Sequence, residues 1–376
     1  MNIKFNKYTF LEIINTVQKA VTSKSIMPIL ECIKIEAYSD GNIIVTANNL
    51  DICIEYKTVC DVYEEGSIAI NSKIFGEIIR RFSGEDVYVK VNPINNVMTL
   101  KCGNSEFDIQ GLNADEYPSI PEVSDDYEFF IKEENLKRMI RKTIFALSTN
   151  ESKKPILTGS LFEIDTGVLT IVSTDGFRMA KIEMTVDSSL KNTKFVIPGI
   201  TLRELMKVLE DKDDNVKIVV AKRYVKFCFE KYTVVSRLLE GEYIKYKPIF
   251  NTPNNIVVNA NTKLFTESLE RAALIINDDA LAKNEKVPIR LNIKDDRIAI
   301  DCKTGKAKTS DEIPVNKIGG DIEIGFNHKY LLEALRSCED EEIKMEMSGP
   351  KSSCFIEPTE NKDYIYMILP VRLYDE

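Results

Sequence analysis

The sequence lacks the residues and motifs that most enzymes use at their catalytic centres. It contains no tryptophan and a single histidine, His328. A histidine-based catalytic triad and a histidine-rich metal site are therefore nearly excluded. No GxxxxGK[ST] or GxGxxG occurs, and TGKAKTS near Gly305 lacks the first glycine and the Lys-Ser/Thr order of a phosphate-binding loop. We expect no catalytic residue, no metal site and no cofactor.

Long apolar runs and paired cysteines are missing as well. No run approaches the ~18 apolar residues that a membrane-spanning helix needs, and the N-terminal segment has no signal-peptide pattern. The 8 cysteines are scattered among apolar residues without a CxxC pair, which is typical of reduced thiols that pack as small hydrophobic groups. The sequence predicts a soluble, cytoplasmic protein without a membrane partner.

One segment recurs three times along the chain. INSKIFGEIIRRF, IPGITLRELMKVL and FNHKYLLEALRSC align without gaps from Ile70, Ile197 and Phe326. In each copy a glutamate precedes a basic residue by three positions, which predicts ion pairs on helix surfaces. The predicted pairs are Glu77 with Arg80, Glu204 with Lys207, and Glu333 with Arg336. The predicted helix starts are an N-cap at Asn71, an N-cap at Asn327 and a first turn containing Pro198.

The part of each unit before this segment repeats more loosely. A helix with an apolar stripe runs toward PIL at Pro28, PIL at Pro155 and PIR at Pro288, and alternating strands follow each time. The order helix, strands, helix, strands predicts an α+β fold. It would contain three repeats of a two-helix plus antiparallel-sheet unit, with the helices on one face. Proline-containing junctions give predicted domains at residues 1–125, 126–252 and 253–376.

Positive charge is concentrated on the predicted helices of an acidic chain. The six helices carry a net charge of +7, so the rest of the chain carries -16 of the total of -9. The stretch ENLKRMIRKTIF alone contains Lys137, Arg138, Arg141 and Lys142. A basic surface made of several helices would hold a polyanion through its phosphates, without reading bases. For any one helix, the alternative is a solvated face with ordinary ion pairs.

The size of such an array is compatible with DNA. If two chains closed head to tail, twelve helices at ~9 Å spacing would lie on a circle roughly 35 Å across. Without the side chains about 25 Å remain, which accommodates a B-form duplex with grooves about 8 Å deep. A closed ring of this size could encircle DNA.

Several motifs together resemble one known family. PILTGSLFEI, STDGFRMA, LLEGEY, EIGFNHKYLLEAL and the ending YMILPVRL resemble the bacterial DNA polymerase III beta subunits, the sliding clamps, over essentially the whole chain. The resemblance implies the DNA clamp fold and a head-to-tail homodimeric ring on double-stranded DNA. It also implies a non-catalytic processivity factor that tethers the replicative DNA polymerase. The partners it implies are the polymerase, an ATP-driven clamp loader and repair proteins, which bind through short peptide motifs.

The resemblance implies a peptide-binding pocket between the second and third domains. Its residues would be Leu157, Gly159, Thr174, Gly176, Arg178, Met179, Ile244, Ile249, Asn327, Tyr330, Met367, Leu369, Pro370, Val371, Arg372 and Leu373. The chain departs from the family pattern at Ile244, at Pro248 and in the extension Tyr374 to Glu376. These departures affect the rim of the pocket and its peptide preference.

Two further surfaces are predicted. By resemblance, the dimer contact joins Phe107 and Ile109 of one chain to Leu274 and Ile275 of the other. Also by resemblance, DNA would contact Lys24, Lys153 and Lys154. The charge count adds the helix residues Arg80, Arg138, Arg141, Lys142, Lys207 and Arg336 as DNA-facing.

Two other function classes stay open at this level. One is a metal-dependent DNA-processing enzyme that uses carboxylates at strand ends, such as Asp175. Because Asp175 precedes Gly176, however, a tight turn is the better interpretation of this residue. The other class is a protein-binding scaffold with no role on nucleic acid.

Overall fold

The computed structural model describes residues 1–22, 25–121, 123, 127–149, 154–188, 190–278 and 287–373, without the side chains of residues 277 and 278. It has an α+β fold, as the sequence predicted. The α-helices in these residues are α1 Lys7–Val17, α2 Ser72–Arg81, α3 Glu133–Thr143, α4 Gly199–Val208, α5 Thr262–Asp278 and α6 His328–Arg336.

The strands outnumber the helices. They are β1 Asn2–Asn6, β2 Cys32–Ala37, β3 Asn42–Asn48, β4 Ile52–Val59, β5 Asp61–Glu64, β6 Gly66–Asn71, β7 Asp86–Asn92, β8 Val97–Cys102, β9 Ser105–Gln110, β10 Tyr127–Lys132, β11 Gly159–Asp165, β12 Val168–Thr174, β13 Arg178–Thr185, β14 Thr193–Pro198, β15 Asn215–Val220, β16 Tyr224–Cys228, β17 Tyr232–Arg237, β18 Ile256–Asn261, β19 Ile289–Lys294, β20 Arg297–Lys303, β21 Lys308–Ile318, β22 Ile322–Phe326, β23 Glu342–Met347, β24 Cys354–Pro358 and β25 Tyr364–Ile368.

The helices lie where the sequence predicted them, and each follows a strand directly or after one residue. Both predicted N-caps are confirmed. The Asn71 side chain accepts a hydrogen bond from the Ile74 amide at 3.2 Å, and Asn327 accepts one from the Lys329 amide at 3.0 Å. The predicted position of Pro198 is wrong by one residue, because α4 begins at Gly199. The sequence predicted helices ending at Val21 and Ser148, but α1 ends at Val17 and α3 at Thr143, and each passes into a short 3-10 turn.

The chain forms two compact units. The first comprises Met1–Lys137, Val186–Leu190 and Ile200–Leu238. It contains a five-stranded sheet with the order β5-β1-β7-β8-β9 and an eight-stranded sheet with the order β10-β15-β16-β17-β4-β3-β2-β6. Alternation of buried and exposed residues along β7 builds one face of its core.

The second unit comprises Arg138–Thr185, Lys191–Gly199 and Leu239–Glu376. It contains one twelve-stranded sheet with the order β14-β11-β12-β13-β25-β24-β23-β18-β21-β20-β19-β22. Helices α5 and α6 pack against each other in this unit. Among the described helices, none combines the length and the apolar character needed to cross a bilayer. The division into three domains at residues 125 and 252 stays a prediction.

Candidate functional site

An apolar cluster lies on the twelve-stranded sheet of the second unit. Cross-strand pairing of β13 with β25 places Met179 opposite Met367 at its centre. Its buried members are Leu161, Val172, Met179, Val196, Tyr246, Phe355 and Met367. Half-buried side chains that pack against them are Ile156, Leu239, Tyr243, Ile244, Ile249, Phe250, Ile365 and Leu369. The cluster therefore brings together five residues of the predicted pocket: Met179, Ile244, Ile249, Met367 and Leu369.

A tight turn joins β12 to β13 beside this cluster. Gly176 adopts a φ of +91°, which a residue with a side chain rarely does. One carboxylate oxygen of Asp175 accepts the amides of Phe177 at 2.8 Å and Arg178 at 3.0 Å, and the Thr174 hydroxyl donates to the Arg178 carbonyl at 2.6 Å. Asp175 is thus engaged in forming the turn, as its position before a glycine predicted.

Arg178 is buried and held from several sides. Its Nε donates to Asp175 at 3.2 Å, its Nη2 donates to the Phe145 carbonyl at 2.6 Å, and its Nη1 pairs with Glu333. The ring of Tyr330 lies 4.4 Å from the guanidinium carbon, a cation–π distance. These contacts bring Thr174, Gly176, Arg178 and Tyr330 of the predicted pocket into one polar group.

The C-terminal tail is attached beside the same turn. The Leu369 amide donates to the Phe177 carbonyl at 2.9 Å, and the Val371 amide donates to the Gly325 carbonyl at 2.8 Å. A Cβ atom at Gly325 would lie 2.6 Å from Leu373 Cδ2 and 3.0 Å from the Val371 carbonyl oxygen, so the tail packs closely on this glycine. Leu369, Val371 and Leu373 are therefore fixed to the second unit.

The other predicted pocket residues lie outside the apolar cluster. Leu157 is buried in a 3-10 turn, and Gly159 begins β11 in close contact with Val196 and Leu239. Asn327 caps α6. Pro370 is half-buried and Arg372 is exposed on the tail. The extension from Tyr374 to Glu376 lies outside the described residues.

Sequence reasoning missed two tyrosines of the cluster. The Tyr243 hydroxyl donates to the Gly159 carbonyl at 3.3 Å or to the Val172 carbonyl at 3.2 Å, and burial raises the pKa of this hydroxyl. Tyr246 is 4% exposed, and its hydroxyl donates to Glu163 at 2.8 Å. The sequence contained a signal for these two residues. Tyr243 ends the motif LLEGEY, and the aromatic residues Tyr246 and Phe250 follow shortly after it.

Acidic partners engage the basic side chains of α3. Lys137 pairs with Asp211 at 2.8 Å. Glu339 accepts from Arg138 Nε at 2.9 Å and lies 3.2 Å from Lys142 Nζ, and it also pairs with Arg141. The positive charge that is prominent in the sequence of α3 is therefore matched by carboxylates of the same chain.

Lys142 is the exceptional member of this group. Its side chain is 1% exposed, its Nζ donates to the Ser337 carbonyl at 2.6 Å, and it lies 4.2 Å from the centre of the Tyr364 ring. Burial lowers the pKa of Lys142, although Glu339 opposes this effect. We remove Lys142 from the set of residues predicted to face DNA, because it has no surface to present to a phosphate.

The other predicted helix cations are paired as well. Arg80 pairs with Glu77 at 2.6 Å and Lys207 with Glu204 at 2.7 Å, which confirms two of the three predicted helix ion pairs. The third prediction is wrong. Arg336 pairs with Glu270 of α5 at 2.7 Å, and Glu333 pairs with Arg178. Glu333 and Arg336 therefore each pair with a residue of another element and not with each other. Lys24 and Lys153 lie outside the described residues, and Lys154 is exposed.

The residues predicted for the dimer contact belong to different units. Phe107 is 44% exposed and Ile109 is buried on β9, which ends the five-stranded sheet. Leu274 is 68% exposed on α5, and Ile275 is half-buried next to it. A groove of about 400 Å³ between α5 and α6 is lined in part by Leu274 and His328.

The single histidine gives a pH-dependence prediction. His328 is buried, its Nε2 has no hydrogen-bond partner in the described residues, and burial together with Lys329 lowers its pKa. Below pH ~6.5 the unfolded chain therefore binds a proton that the folded chain resists, so stability falls as the pH falls. We expect urea unfolding between pH 7.5 and 5.5 to show a smaller loss for His328→Gln than for the wild type. Parallel pH profiles would contradict this.

Comparison with known proteins identifies the family and the fold of the chain. Family models of the DNA polymerase III beta subunit match residues 1–121 as the N-terminal domain, 130–245 as the central domain and 247–372 as the C-terminal domain. The beta sliding clamp of Halalkalibacterium halodurans is 32% identical over 100% of both chains. The sliding clamp structure from Bacillus subtilis has a TM-score of 0.94 at 30% identity and covers 100% of both chains. The beta subunit structure from Streptococcus pyogenes has a TM-score of 0.93 at 28% identity, with 99% of this chain and 100% of that chain covered.

The fold and the matched domains define a DNA sliding clamp, a non-catalytic processivity factor. The chain belongs to the DNA polymerase III beta subunit family, whose curated relatives are named beta sliding clamps. The resemblance predicted from the sequence motifs is thereby confirmed, and a metal-dependent DNA-processing enzyme is not favoured.

Proposed function

We propose that two copies of this chain close head to tail into a ring that encircles duplex DNA without reading its sequence. The ring has three clamp domains per chain, at residues 1–125, 126–252 and 253–376, with helices on its inner side. Its apolar cluster receives short peptides from the replicative polymerase, the clamp loader and repair proteins. The observation that carries this proposal is a recurring strand junction.

Two strand junctions of the same kind occur within the described residues. In each junction, three consecutive antiparallel strands form a run whose last strand pairs with a strand from elsewhere in the chain. The run β15-β16-β17 pairs β17 antiparallel with β4. The run β23-β24-β25 pairs β25 antiparallel with β13. The corresponding run β7-β8-β9 ends at β9, which has one neighbouring strand among the described residues. Over Lys308–Pro314, β21 likewise pairs only with β20 in the part of the chain that the structure describes. A third junction would join β9 of one copy to β21 of the next.

This junction supports head-to-tail closure. Strand edges carry backbone donors and acceptors that readily pair with another chain. Because β9 and β21 are different strands, pairing of β9 in one copy with β21 in the next is heterologous, and such contacts form either closed rings or open filaments. The exposed apolar side chains of Phe107 and Leu274 fit a contact of this kind. In this proposal Ile109 and Ile275 complete its apolar core.

Weak attraction to DNA is consistent with the paired helix cations. The residues that we propose to face DNA are Lys24, Arg80, Arg138, Arg141, Lys153, Lys154, Lys207 and Arg336. Those on helices have carboxylate partners, which reduce the gain from each phosphate contact. A ring that bound phosphates tightly could not slide, so retention on DNA comes from topology.

Peptide binding is supported by the chemistry of the apolar cluster. Aliphatic side chains and methionines adapt to apolar anchors of different shapes, and a few polar groups fix the orientation of the peptide. Met179 and Met367 provide the adaptable centre, and Arg178 with Tyr330 provides the polar group beside it. Ile244 and Pro248, where the chain departs from the family pattern, contribute to the rim.

Topological retention gives the decisive experiment. The purified protein, loaded on circular DNA by a clamp loader, is expected to co-elute with the circle in gel filtration. Cutting the circle once should release it, because a ring slides off free ends. Blocking both ends with bound protein should restore retention. Equal retention on open linear and circular DNA would reject the ring.

A further inference from the structure

A buried carboxylate lies under the apolar cluster. Glu163 on β11 is 3% exposed and accepts hydrogen bonds from the Tyr246 hydroxyl at 2.8 Å and Lys247 Nζ at 2.7 Å. Lys194 Nζ lies 3.4 Å from it. Burial by itself raises the pKa of Glu163, but the bonds from Lys247 and Tyr246 outweigh this effect and lower it. Glu163 is therefore a satisfied buried anion.

Two of these donors come from the segment that forms one side of the cluster. We call residues Tyr243 to Phe250 the wall segment, because Tyr243, Ile244, Ile249 and Phe250 all pack on the cluster from it. Within the described residues the wall segment has a single 3-10 turn, Ile249–Asn251, at its end. Its position therefore depends on side-chain anchors, and Tyr243 supplies one of them through its hydroxyl, which donates to a carbonyl of β11 or of β12.

We infer that Glu163 is a positioning residue that fixes the wall segment and so pre-forms the apolar cluster for its peptide. This inference rests on the proposed peptide binding and names a residue that the peptide does not touch. If the wall segment were free to move, only a fraction of molecules would have the cluster in its binding form. The apparent affinity would fall by that fraction, although no peptide contact had been removed.

The test compares full-length variants by fluorescence anisotropy with a fluorescein-labelled hexapeptide whose apolar residues are leucine and phenylalanine. Glu163→Gln keeps the size of the side chain but removes its charge, and we expect Kd to rise about 5-fold. Tyr246→Phe deletes one bond of the same network and should weaken binding in the same direction. The two changes together should be less than additive, because they release the same segment.

Glu12→Gln is the matched control. Glu12 on α1 also accepts a hydroxyl bond, from Tyr56 at 3.0 Å, and lies 3.9 Å from Lys231 Nζ, but it belongs to the first unit and lies outside the cluster. We expect its peptide affinity to equal that of the wild type.

Hydrogen exchange supplies a second readout. The Ile249 and Leu239 amides, which bond to Tyr246 and Val196, should exchange faster in Glu163→Gln and slow again when peptide is bound.

The outcomes separate the inference from the proposed function. Unchanged peptide affinity in a folded Glu163→Gln variant would overturn the positioning role alone. So would faster exchange spread equally over β19 and β20, since this would indicate general destabilisation. If the wild type failed to bind the peptide, the proposed pocket itself would be rejected, and the inference with it.

Discussion

Replacing Leu274 by aspartate is expected to convert the proposed dimer into monomers at micromolar concentration. Leu274 is 68% exposed on α5, and a carboxylate there would be buried without a partner on closure of the ring. We expect the dimer Kd to rise about 100-fold, which corresponds to roughly 2.7 kcal/mol. Sedimentation equilibrium should change from about twice 42.8 kDa to the monomer mass. A wild type that stays monomeric would contradict closure itself.

The same helix provides a control, and the head-to-tail arrangement provides a stricter test. Leu264→Asp changes a 44% exposed leucine on α5, about 15 Å away along the helix, and should leave the dimer intact.

Phe107→Asp, on the opposite contact surface, should dissociate the dimer as Leu274→Asp does. Mixing the two monomeric variants should restore one intact contact and give an open dimer that circular DNA does not retain. A mixture that remains monomeric would argue against pairing of these two surfaces.

The elements of this fold could be predicted from the sequence because their signals are local. A cap residue such as Asn71 or Asn327 bonds to an amide two or three positions away, so nearby residues suffice to identify it. Alternating strands such as β7 and β23 likewise carry their burial pattern in their own residues. The i,i+3 pairs of Glu77 and Glu204 belong to the same class.

The failures involve partners that are distant in the chain. Glu333 pairs with Arg178, 155 positions away, and this contact replaces the predicted pair with Arg336. Tyr246, a buried member of the cluster, donates its hydroxyl to Glu163, 83 positions earlier. Charge counting along α3 also identified a cluster of cations without identifying its counter-charge, because Glu339 lies about 200 residues further along the chain. Sequence periodicity does not reveal which distant side chains will meet.

The ion cluster around Glu339 leads to a stability prediction of similar size. Glu339→Gln removes the carboxylate beside the buried Lys142 ammonium and leaves that charge with the Ser337 carbonyl and the Tyr364 ring. Without this carboxylate the Lys142 ammonium, which is 1% exposed, loses its counter-charge. Because the Glu339 side chain is 38% exposed, we expect a loss at the lower end of that for buried ion pairs, about 3 kcal/mol in the free energy of unfolding. Urea unfolding followed by tyrosine fluorescence would measure this change.

Making Glu339→Gln in a Lys142→Met variant tests whether the buried lysine causes this loss of stability. Lys142→Met fills similar space without a charge, and its stability should be close to that of the wild type, because buried ion pairs can often be replaced by apolar side chains. With Lys142→Met in place, Glu339→Gln affects only Arg138 and Arg141, whose side chains are 27% and 56% exposed, and should cost less than about 1 kcal/mol. An equal loss of unfolding free energy in the wild type and in the Lys142→Met variant would show that the two arginines, and not the buried lysine, depend on Glu339. A coupling energy of about 2 kcal/mol or more would instead establish that the charge on α3 stabilises the fold.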